Sequence, residues 1–203
     1  MKSRSIEFWF TYGSTYTYLS VMRVERLATE AGLNVIWRPF DRAALDFPPG
    51  TPRPANWGGP FGNQAKLAYM WRDLERRAAE HGLPYVKPLI YPTRWRETAW
   101  VGLLGLREGW GAAFTRRVFT MNFVEAKPIG VGNNLADALR DIGQDAKKVL
   151  ERARQPEYEA ELVAATEEAR ARKMFGSPTF WVDGEIFWGD DRLIQAFEWA
   201  KRA

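Results

Sequence analysis

The apolar positions along this chain change their spacing several times, and each change predicts a different structural element. Residues 6–10 form a short apolar and aromatic run, with Glu7 near its start, that predicts a buried strand. Apolar side chains then recur at helical spacing until Gly32, whose position suits a helix C-cap. Residues 33–37 alternate and predict a second strand, which we expect Pro39 to stop. This order predicts a βαβ unit with parallel strands and a right-handed crossover.

The middle of the chain has a helical period. Residues 46–62 hold five prolines and several glycines, so they predict a loop. Further on, Pro156 follows Gln155 at a position that suits the first residue of a helix. Six helices are predicted after the loop, at about residues 63–81, 95–108, 111–125, 133–140, 144–154 and 156–173.

The last segment returns to strands. Residues 179–182 and 185–188 flank Asp183 and Gly184, a pair that strongly predicts a two-residue hairpin turn. A final helix is predicted over about residues 190–201, and its acidic start suits the helix dipole.

The order of the predicted elements indicates the fold. Removing the helical block leaves βαβ followed by ββα, which is the order of a thioredoxin-like fold. We therefore expect an α/β protein with a thioredoxin-like domain over residues 1–45 and 174–203. Residues 46–173 would be an all-helical domain inserted into it.

The composition excludes several kinds of active site. The chain has no cysteine, so it has no disulfide framework, no CxxC redox pair, no cysteine nucleophile and no thiolate metal site. His81 is the single histidine, so one chain cannot build a metal site from two or three histidines. His81 lies at a predicted helix end, where we expect it to serve as a C-cap.

The charges do not indicate a nucleic-acid or membrane partner. The formal net charge is +4, and basic residues are mostly interleaved with acidic ones, as in residues 72–77, where we expect a solvated helix face. The first residues contain no apolar segment typical of a signal peptide, and no window approaches a membrane span. These observations predict a cytoplasmic protein that binds neither nucleic acid nor membrane.

Three places along the sequence are candidates for a site. Ser14 lies between the first strand and the first helix, where ligands of α/β sheets gather. Ser177 precedes Pro178 at the start of a strand, and a cis bond there would expose the Ser177 backbone to a peptide-like ligand. Asp190 and Asp191 open the last helix and could hold an amino-acid group together with free helix N–H groups.

Each place also has a purely structural interpretation. Ser14 or Thr15 could simply cap the first helix, and Asp190 and Asp191 could cap the last one. All three places fall at the same edge of the predicted sheet, which favours a shared site.

Aromatic residues are abundant, and most of them are expected in the core. Some tryptophans could instead form the walls of an apolar pocket for an aromatic substrate. The candidates are Trp57, Trp71, Trp95 and Trp188. The glycine-rich aromatic segment 57–62 is the best candidate for a lid.

Four motifs carry a resemblance to a known family. Residues 8–19 (FWFTYGSTYTYL) resemble the F-x-F-D-x-x-S-P-Y-S-Y-L opening of the family of 2-hydroxychromene-2-carboxylate isomerases and kappa-class glutathione transferases. Residues 175–180 (FGSPTF) resemble its F-G-x-P-T-F segment, and residues 182–193 resemble the V-D-G-x-x-F-x-G-x-D-R-L stretch that follows. Residues 66–73 match a K-x-x-Y-x-x-x-D helix start. Together these motifs are specific for the DsbA-like branch of thioredoxin folds.

The resemblance implies a glutathione site in an enzyme of aromatic-compound catabolism. Ser14 would support the glutathione sulfur, and Ser177, before Pro178, would pair its backbone with the cysteinyl amide. The other ligands implied are Asp190 and Asp191 for the γ-glutamyl end, Lys66 for a carboxylate, and Asn56 or Asn63 for a further contact. A homodimer is also implied by the resemblance alone.

The implied mechanism uses the sulfur of the cofactor. The Ser14 hydroxyl and the start of the first helix would stabilise a glutathione thiolate, which would add to an electrophilic aromatic substrate. An isomerase would release glutathione unchanged, whereas a transferase would release the conjugate.

The sequence departs from the family pattern at three positions, Thr11, Thr15 and Thr17, which replace an aspartate, a proline and a serine. A thioredoxin-fold binding protein without catalysis therefore stands as a further alternative. A dithiol oxidoreductase is opposed by the lack of cysteine, because Ser14 occupies the position of the thiol.

Overall fold

The computed structural model describes residues 4–47, 51 and 63–202, and its strands form one mixed sheet. The strands are β1 (Ser5–Phe10), β2 (Asn34–Pro39), β3 (Thr179–Val182) and β4 (Glu185–Trp188). Their order in the sheet is β2-β1-β3-β4. β1 pairs in parallel with β2, and β3 is antiparallel to both β1 and β4. This arrangement confirms the predicted thioredoxin-like α/β fold.

Side chains alternate across a strand, and in strand β1 both faces are buried, each in a different core. Ile6, Phe8 and Phe10 lie in the main hydrophobic core. Trp9 lies on the opposite face in a smaller core that includes Phe40. β1 is therefore the central element that holds the site's first loop in place.

Strand β2 runs further than the sequence predicted. Pro39 is its last residue and pairs in register with Phe10, so the strand ends at Pro39 as predicted but extends two residues past the predicted end at residue 37. The physical reason is that β2 is an edge strand. On its open side no neighbouring strand needs a backbone donor, so the missing proline N–H costs no hydrogen bond there.

The described residues contain ten α-helices. They are α1 (Thr15–Val21), α2 (Val24–Ala31), α3 (Arg42–Leu45), α4 (Gln64–Glu80), α5 (Arg96–Glu108), α6 (Gly111–Phe123), α7 (Asn134–Asp141), α8 (Ala146–Ala153), α9 (Pro156–Ala171) and α10 (Leu193–Arg202). The six helices predicted after the loop are confirmed as α4 to α9, with ends shifted by a few residues. Pro156 is the first residue of α9, as predicted. The short α3, which Asp41 caps through the Ala44 N–H, was not predicted.

The helix predicted to run up to Gly32 is broken in two. α1 ends at Val21, and Arg23 adopts the N-cap position of α2. The Arg23 Nε donates to the Leu19 carbonyl oxygen at 2.9 Å while the guanidinium enters the buried region. Gly32 ends α2 with a φ of +67°, which confirms its C-cap position.

The C-terminal hairpin forms as predicted. Asp183 and Gly184 have φ values of +48° and +90°, the left-handed conformation that a type I′ turn requires. After β4, residues Asp190–Arg192 form a 3₁₀ turn before α10, so the last helix begins later than expected.

The helices and the sheet share one main core. Phe8 and Phe180 of the sheet lie in the same cluster of buried side chains as Phe114 and Leu139 of the helical block. A shared core does not mark where one domain ends and the other begins, so the boundaries at residues 45/46 and 173/174 remain a prediction. Within the described part of the chain, no helix has both the length and the hydropathy needed to cross a bilayer.

Candidate functional site

Ser14 lies at the N-cap position of α1, but its side chain does not cap the helix. The Ser14 Oγ instead donates to the Ser177 carbonyl oxygen at 3.0 Å. The neighbouring Thr15 hydroxyl donates to the Met70 sulfur at 3.4 Å. The capping interpretation is therefore wrong for both side chains, and the Ser14 hydroxyl is directed across the sheet edge.

Ser177 is held by the first loop of the fold. The Thr11 N–H donates to the Ser177 Oγ at 3.0 Å, and the Thr17 and Ser177 hydroxyls hydrogen-bond at 3.0 Å. The bond between Ser177 and Pro178 is cis. Among the described residues, nothing accepts a hydrogen bond from the Ser177 N–H. The sheet edge thus joins Ser14, Ser177 and Pro178 and leaves a backbone donor for a ligand.

Asp190 is almost completely buried and binds two arginines. Its side chain is 1% exposed, and its Oδ1 accepts from Arg23 at 2.5 Å. The Oδ2 accepts from Arg77 at 2.8 Å, and the Ser20 hydroxyl donates to Oδ1 at 3.0 Å. A carboxylate with these partners is a structural anchor for the turn after β4.

Asp191 has a different environment from its neighbour. Its side chain is 49% exposed, and the Arg192 guanidinium lies 3.5 Å from its carboxylate. Gly189 occupies the N-cap position of the 3₁₀ turn, and Asp190 and Asp191 are the first two residues of that turn. Asp191 is the carboxylate of this pair that a ligand can reach.

His81 ends α4 as its C-cap, which confirms the prediction. Its ring also contacts the buried ion cluster, with Nε2 3.6 Å from the Asp190 carboxylate and Nδ1 3.4 Å from the Arg23 guanidinium. Burial and the positive charge of Arg23 lower the pKa of His81. The native state therefore favours the neutral imidazole.

A cavity of about 380 Å³ opens between the cis-proline segment at Ser177 and the turn that carries Asp190 and Asp191. We call it the serine cavity, and it is lined by Tyr16, Asp73, Arg77, Ser177, Pro178, Trp188, Gly189, Asp190, Asp191 and Arg192. The Tyr16 hydroxyl donates to Asp73 at 2.8 Å, and burial together with Asp73 raises the pKa of Tyr16. Tyr16 therefore remains a hydrogen-bond donor at neutral pH.

The remaining predicted ligands lie away from the serine cavity or outside the described residues. Lys66 is exposed in the first turn of α4, seven residues and therefore about 10 Å along the helix from Asp73. The Asn63 Oδ1 accepts from the Lys66 N–H at 3.1 Å and caps α4. Asn56 lies outside the described residues. The roles of Lys66 and Asn63 toward a ligand stay predictions.

The four candidate tryptophans are in different places. Trp188 lines the serine cavity and is 52% exposed. Its ring makes an edge-to-face contact with Phe175. Trp71 is buried in the core. The Trp95 indole lies against Gly13, where any side chain would collide with it. Trp57 and the predicted lid 57–62 lie outside the described residues.

Comparison with known proteins identifies the family. The model described as the DSBA-like thioredoxin domain matches residues 5–197. The chain belongs to this family. It is 30% identical to a 2-hydroxychromene-2-carboxylate isomerase of Sphingobium xenophagum, over 94% of this chain and 95% of that protein.

Two further matches agree with this assignment. A 2-hydroxychromene-2-carboxylate isomerase of Pseudomonas putida is 28% identical, over 93% of this chain and 90% of that protein. A solved structure of such an isomerase superposes with a TM-score of 0.83 and 26% identity, covering 98% of this chain and 95% of its own. These matches confirm the resemblance that the motifs predicted.

Three residues of this member of the family were missed by sequence reasoning. Arg23, Arg77 and Tyr16 bind or border the site, although none was singled out. Arg77 belongs to the charged run 72–77, where a solvated face was expected, but it lines the serine cavity together with Asp73. The available signal was spacing, because Asp73 and Arg77 are four residues apart and share one face of α4.

Proposed function

We propose that this protein is a glutathione-dependent isomerase of the 2-hydroxychromene-2-carboxylate isomerase type, acting on an aromatic or polycyclic electrophile. The observation that carries the proposal is the bond between the Ser14 hydroxyl and the Ser177 carbonyl oxygen, 3.0 Å long, at the edge of a cavity. The chain contains no cysteine, so the nucleophilic sulfur of the family's chemistry must come from a bound thiol. The names of the two isomerase relatives support the reaction type.

The residues around the serine cavity fit a thiol tripeptide. The Ser177 N–H has no acceptor among the described residues, which suits pairing with a peptide backbone. Asp191 presents an exposed carboxylate to an ammonium group. A volume of about 380 Å³ lies within the range of small-molecule sites. Asp190 would act indirectly in this proposal, by anchoring the turn that carries Asp191.

Bound glutathione would supply a thiol nucleophile. The task of Ser14 would be to turn its hydroxyl from the Ser177 carbonyl oxygen to the sulfur and donate a hydrogen bond there. A hydrogen bond to the charged form favours that form, so this donor would lower the pKa of the thiol. Since α1 has only seven residues, we assign this effect to the hydroxyl alone.

The residues around Ser177 would keep this geometry in place. The Thr11 N–H and the Thr17 hydroxyl fix the Ser177 side chain, so the Ser177 backbone is oriented before a ligand arrives. The Tyr16 hydroxyl, whose proton is donated to Asp73, can accept a hydrogen bond from a polar group of the ligand. Lys66, on the outer part of α4, would attract a terminal carboxylate.

Calorimetry with glutathione tests the proposal directly. We expect saturable binding at millimolar or lower concentration, reduced by Asp191→Asn and unaffected by Asp137→Asn, an exposed aspartate on α7 outside the serine cavity. The absence of binding at millimolar glutathione would remove the enzyme proposal.

The reaction type is decided by the fate of glutathione. Incubation with 2-hydroxychromene-2-carboxylate should give an isomerised product and full recovery of glutathione. Consumption of glutathione with this substrate or with chlorodinitrobenzene, without isomerisation, would show a transferase. Binding without any turnover would favour the non-catalytic alternative that the threonine substitutions raised.

A further inference from the structure

One cluster of charged side chains contacts both α1 and the turn that carries Asp191. Asp190 belongs to this 3₁₀ turn and lines the serine cavity, as does Arg77. The Arg23 Nε donates to the Leu19 carbonyl oxygen of α1 at 2.9 Å. A change in the cluster therefore reaches two elements of the site at once. We call it the ion cluster, and its members are Arg23, Arg77, His81 and Asp190.

The contacts of the His81 ring determine which of its nitrogens carries the proton. Nδ1 lies 3.4 Å from the Arg23 Nη1, and a guanidinium can only donate, so Nδ1 is the acceptor. In the neutral imidazole the proton is therefore on Nε2, which faces the Asp190 Oδ2 at 3.6 Å. This distance is longer than a hydrogen bond, and the buried Nε2 has no hydrogen-bond partner within the described part of the chain. The neutral ring thus places an acceptor on a cation and an N–H toward an anion.

A second proton on the His81 ring would change both contacts. It would lie on Nδ1, where Arg23 already donates, so two N–H groups would oppose each other. The charged ring would also be attracted to the Asp190 Oδ2, which accepts from Arg77 at 2.8 Å. Three cations would then share one buried carboxylate. Protonation therefore favours an arrangement in which Arg23 leaves the ring and the bond between Arg77 and Asp190 weakens.

The charges around His81 oppose one another. Burial is the largest influence on the ring, and together with Arg23 and Arg77 it lowers the pKa of His81. Asp190 and the exposed Glu80 of α4 raise this pKa. The helix α1 contributes neither a carboxylate nor a cation. The net direction is downward, so the ring is neutral at pH 7 and takes up its second proton below the ordinary pKa of 6.5.

We propose that His81 is a pH-sensitive switch for ligand binding at the serine cavity, in which the neutral ring maintains the ion cluster and the protonated ring weakens glutathione binding. The proposal rests on the proposed function in one respect, since it takes glutathione as the ligand. Two effects act in the same direction. The added positive charge opposes the ammonium group that Asp191 would receive, and the weakened bond of Arg77 loosens a wall of the cavity. By linkage, a ligand that prefers the neutral ring lowers the pKa of His81 when it binds.

A titration by proton NMR, without ligand, tests the structural half of the switch. His81 is the single histidine, so its ring signals are identified without ambiguity. We expect the backbone amide signals of Asp190–Arg192 to shift with the His81 midpoint in the wild type. In His81→Asn, which keeps an acceptor for Arg23 but takes up no proton, this shift should be absent. Amide signals of the turn that do not follow His81 in the wild type would overturn the proposal.

Glu80→Gln is the second variant, because Glu80 is exposed and does not line the serine cavity. Removing its negative charge disfavours the protonated ring, so the His81 midpoint and the midpoint of the turn signals should move together to lower pH. A shift of the His81 midpoint alone would show that the turn titrates independently and would contradict the switch.

Calorimetry with S-methylglutathione tests the binding half, since the sulfur of this thioether does not titrate. Affinity is compared about one pH unit above and below the His81 midpoint, where circular dichroism shows folded protein. We expect the wild-type affinity to fall about fivefold or more at the lower pH, and that of His81→Asn to change by less than about twofold. Saturating S-methylglutathione should also lower the pKa of His81 in the NMR titration.

The two possible failures of this binding experiment are distinct. Equal wild-type affinity at both pH values would overturn the switch and leave the proposed function intact. The absence of binding at both pH values would instead remove the proposed function, and the inference with it.

Discussion

Two polar clusters reach the serine cavity, one through Ser177 and the other through Arg77 and Asp190, and they are built from opposite kinds of interaction. The hydroxyl end consists of Ser14, Thr17 and Ser177, and the ionic end of Arg23, Arg77 and Asp190. A neutral hydrogen bond contributes about 1 kcal/mol and can be exchanged for a bond to a ligand. A buried ion pair broken on one side costs about 3–5 kcal/mol, because the remaining charge has no partner. The hydroxyl end is therefore suited to chemistry, and the ionic end to holding the cavity's shape.

The largest effect should come from the carboxylate at the ionic end. Asp190→Asn removes the negative charge from the buried guanidinium of Arg23 and the partly buried one of Arg77, and it should lower the free energy of unfolding by about 3–5 kcal/mol. Asp191→Asn, one residue further and half exposed, should change it by less than about 0.5 kcal/mol. Urea denaturation of both variants measures the difference. Equal stability of the two variants would contradict the distinction between the buried, anchoring carboxylate and the exposed one.

The two arginines should be unequal. Arg23→Gln and Arg77→Gln each leave Asp190 with one cationic partner, so each should cost about 2 kcal/mol, less than the loss of Asp190 itself. Arg23→Gln should lower the free energy of unfolding more than Arg77→Gln, because the Arg23 side chain is 10% exposed and that of Arg77 is 23% exposed. The same urea titrations provide the measurement, with exposed Arg26→Gln as the control. If the Arg77 variant were less stable than the Arg23 variant, the ion pair at the cavity wall would contribute more to stability than the more deeply buried pair, contrary to this expectation.

Substitutions at the hydroxyl end should change the free energy of unfolding only slightly. Ser14→Ala removes one neutral hydrogen bond and should lower the free energy of unfolding by about 1 kcal/mol or less. Thr29→Ala removes a similar bond from an exposed part of α2 to the Glu25 carbonyl oxygen, and it is the matched control. A loss of several kcal/mol in the Ser14 variant alone would make Ser14 a structural residue.

The smallest effect concerns pH and His81. Burial and Arg23 lower the pKa of His81 in the native state, whereas the unfolded chain keeps the ordinary value of 6.5. Below about pH 6.5 the unfolded chain binds a proton that the native state excludes, so stability falls as pH falls and levels off below the native pKa. We expect this slope in urea midpoints of the wild type and a weaker slope in His81→Asn. Identical slopes would exclude His81 as the source.

Much of the fold follows from local patterns. The spacing of apolar residues located α4 to α9, and Asp183 and Gly184 located the hairpin, because these elements depend on residues close in sequence. The break between α1 and α2 could not be predicted in this way. Arg23 leaves the helical path toward Asp190, a partner 167 positions away along the chain. The last two residues of β2 were missed for a related reason, since a proline can pair in the ladder here because β2 is at the sheet edge.

The site was predictable in outline but not in its division of roles. Ser14 and Ser177 were expected at one edge because both lie where elements meet that edge, and there the Ser14 hydroxyl bonds the Ser177 carbonyl oxygen. Asp190 and Asp191 are identical and adjacent in the sequence, so nothing local distinguishes the buried carboxylate from the exposed one. That distinction is made by Arg23 and Arg77, which come from two helices far apart along the chain.

The central claim is that the Ser14 hydroxyl stabilises a thiolate at the hydroxyl end. The most direct measurement is the pKa of the thiol of bound glutathione, followed by the ultraviolet absorbance of the thiolate at saturating glutathione. We predict a pKa below that of free glutathione in the wild type, and an increase of about one unit or more in Ser14→Ala but not in Thr29→Ala. An unchanged thiol pKa in Ser14→Ala would contradict the role assigned to Ser14.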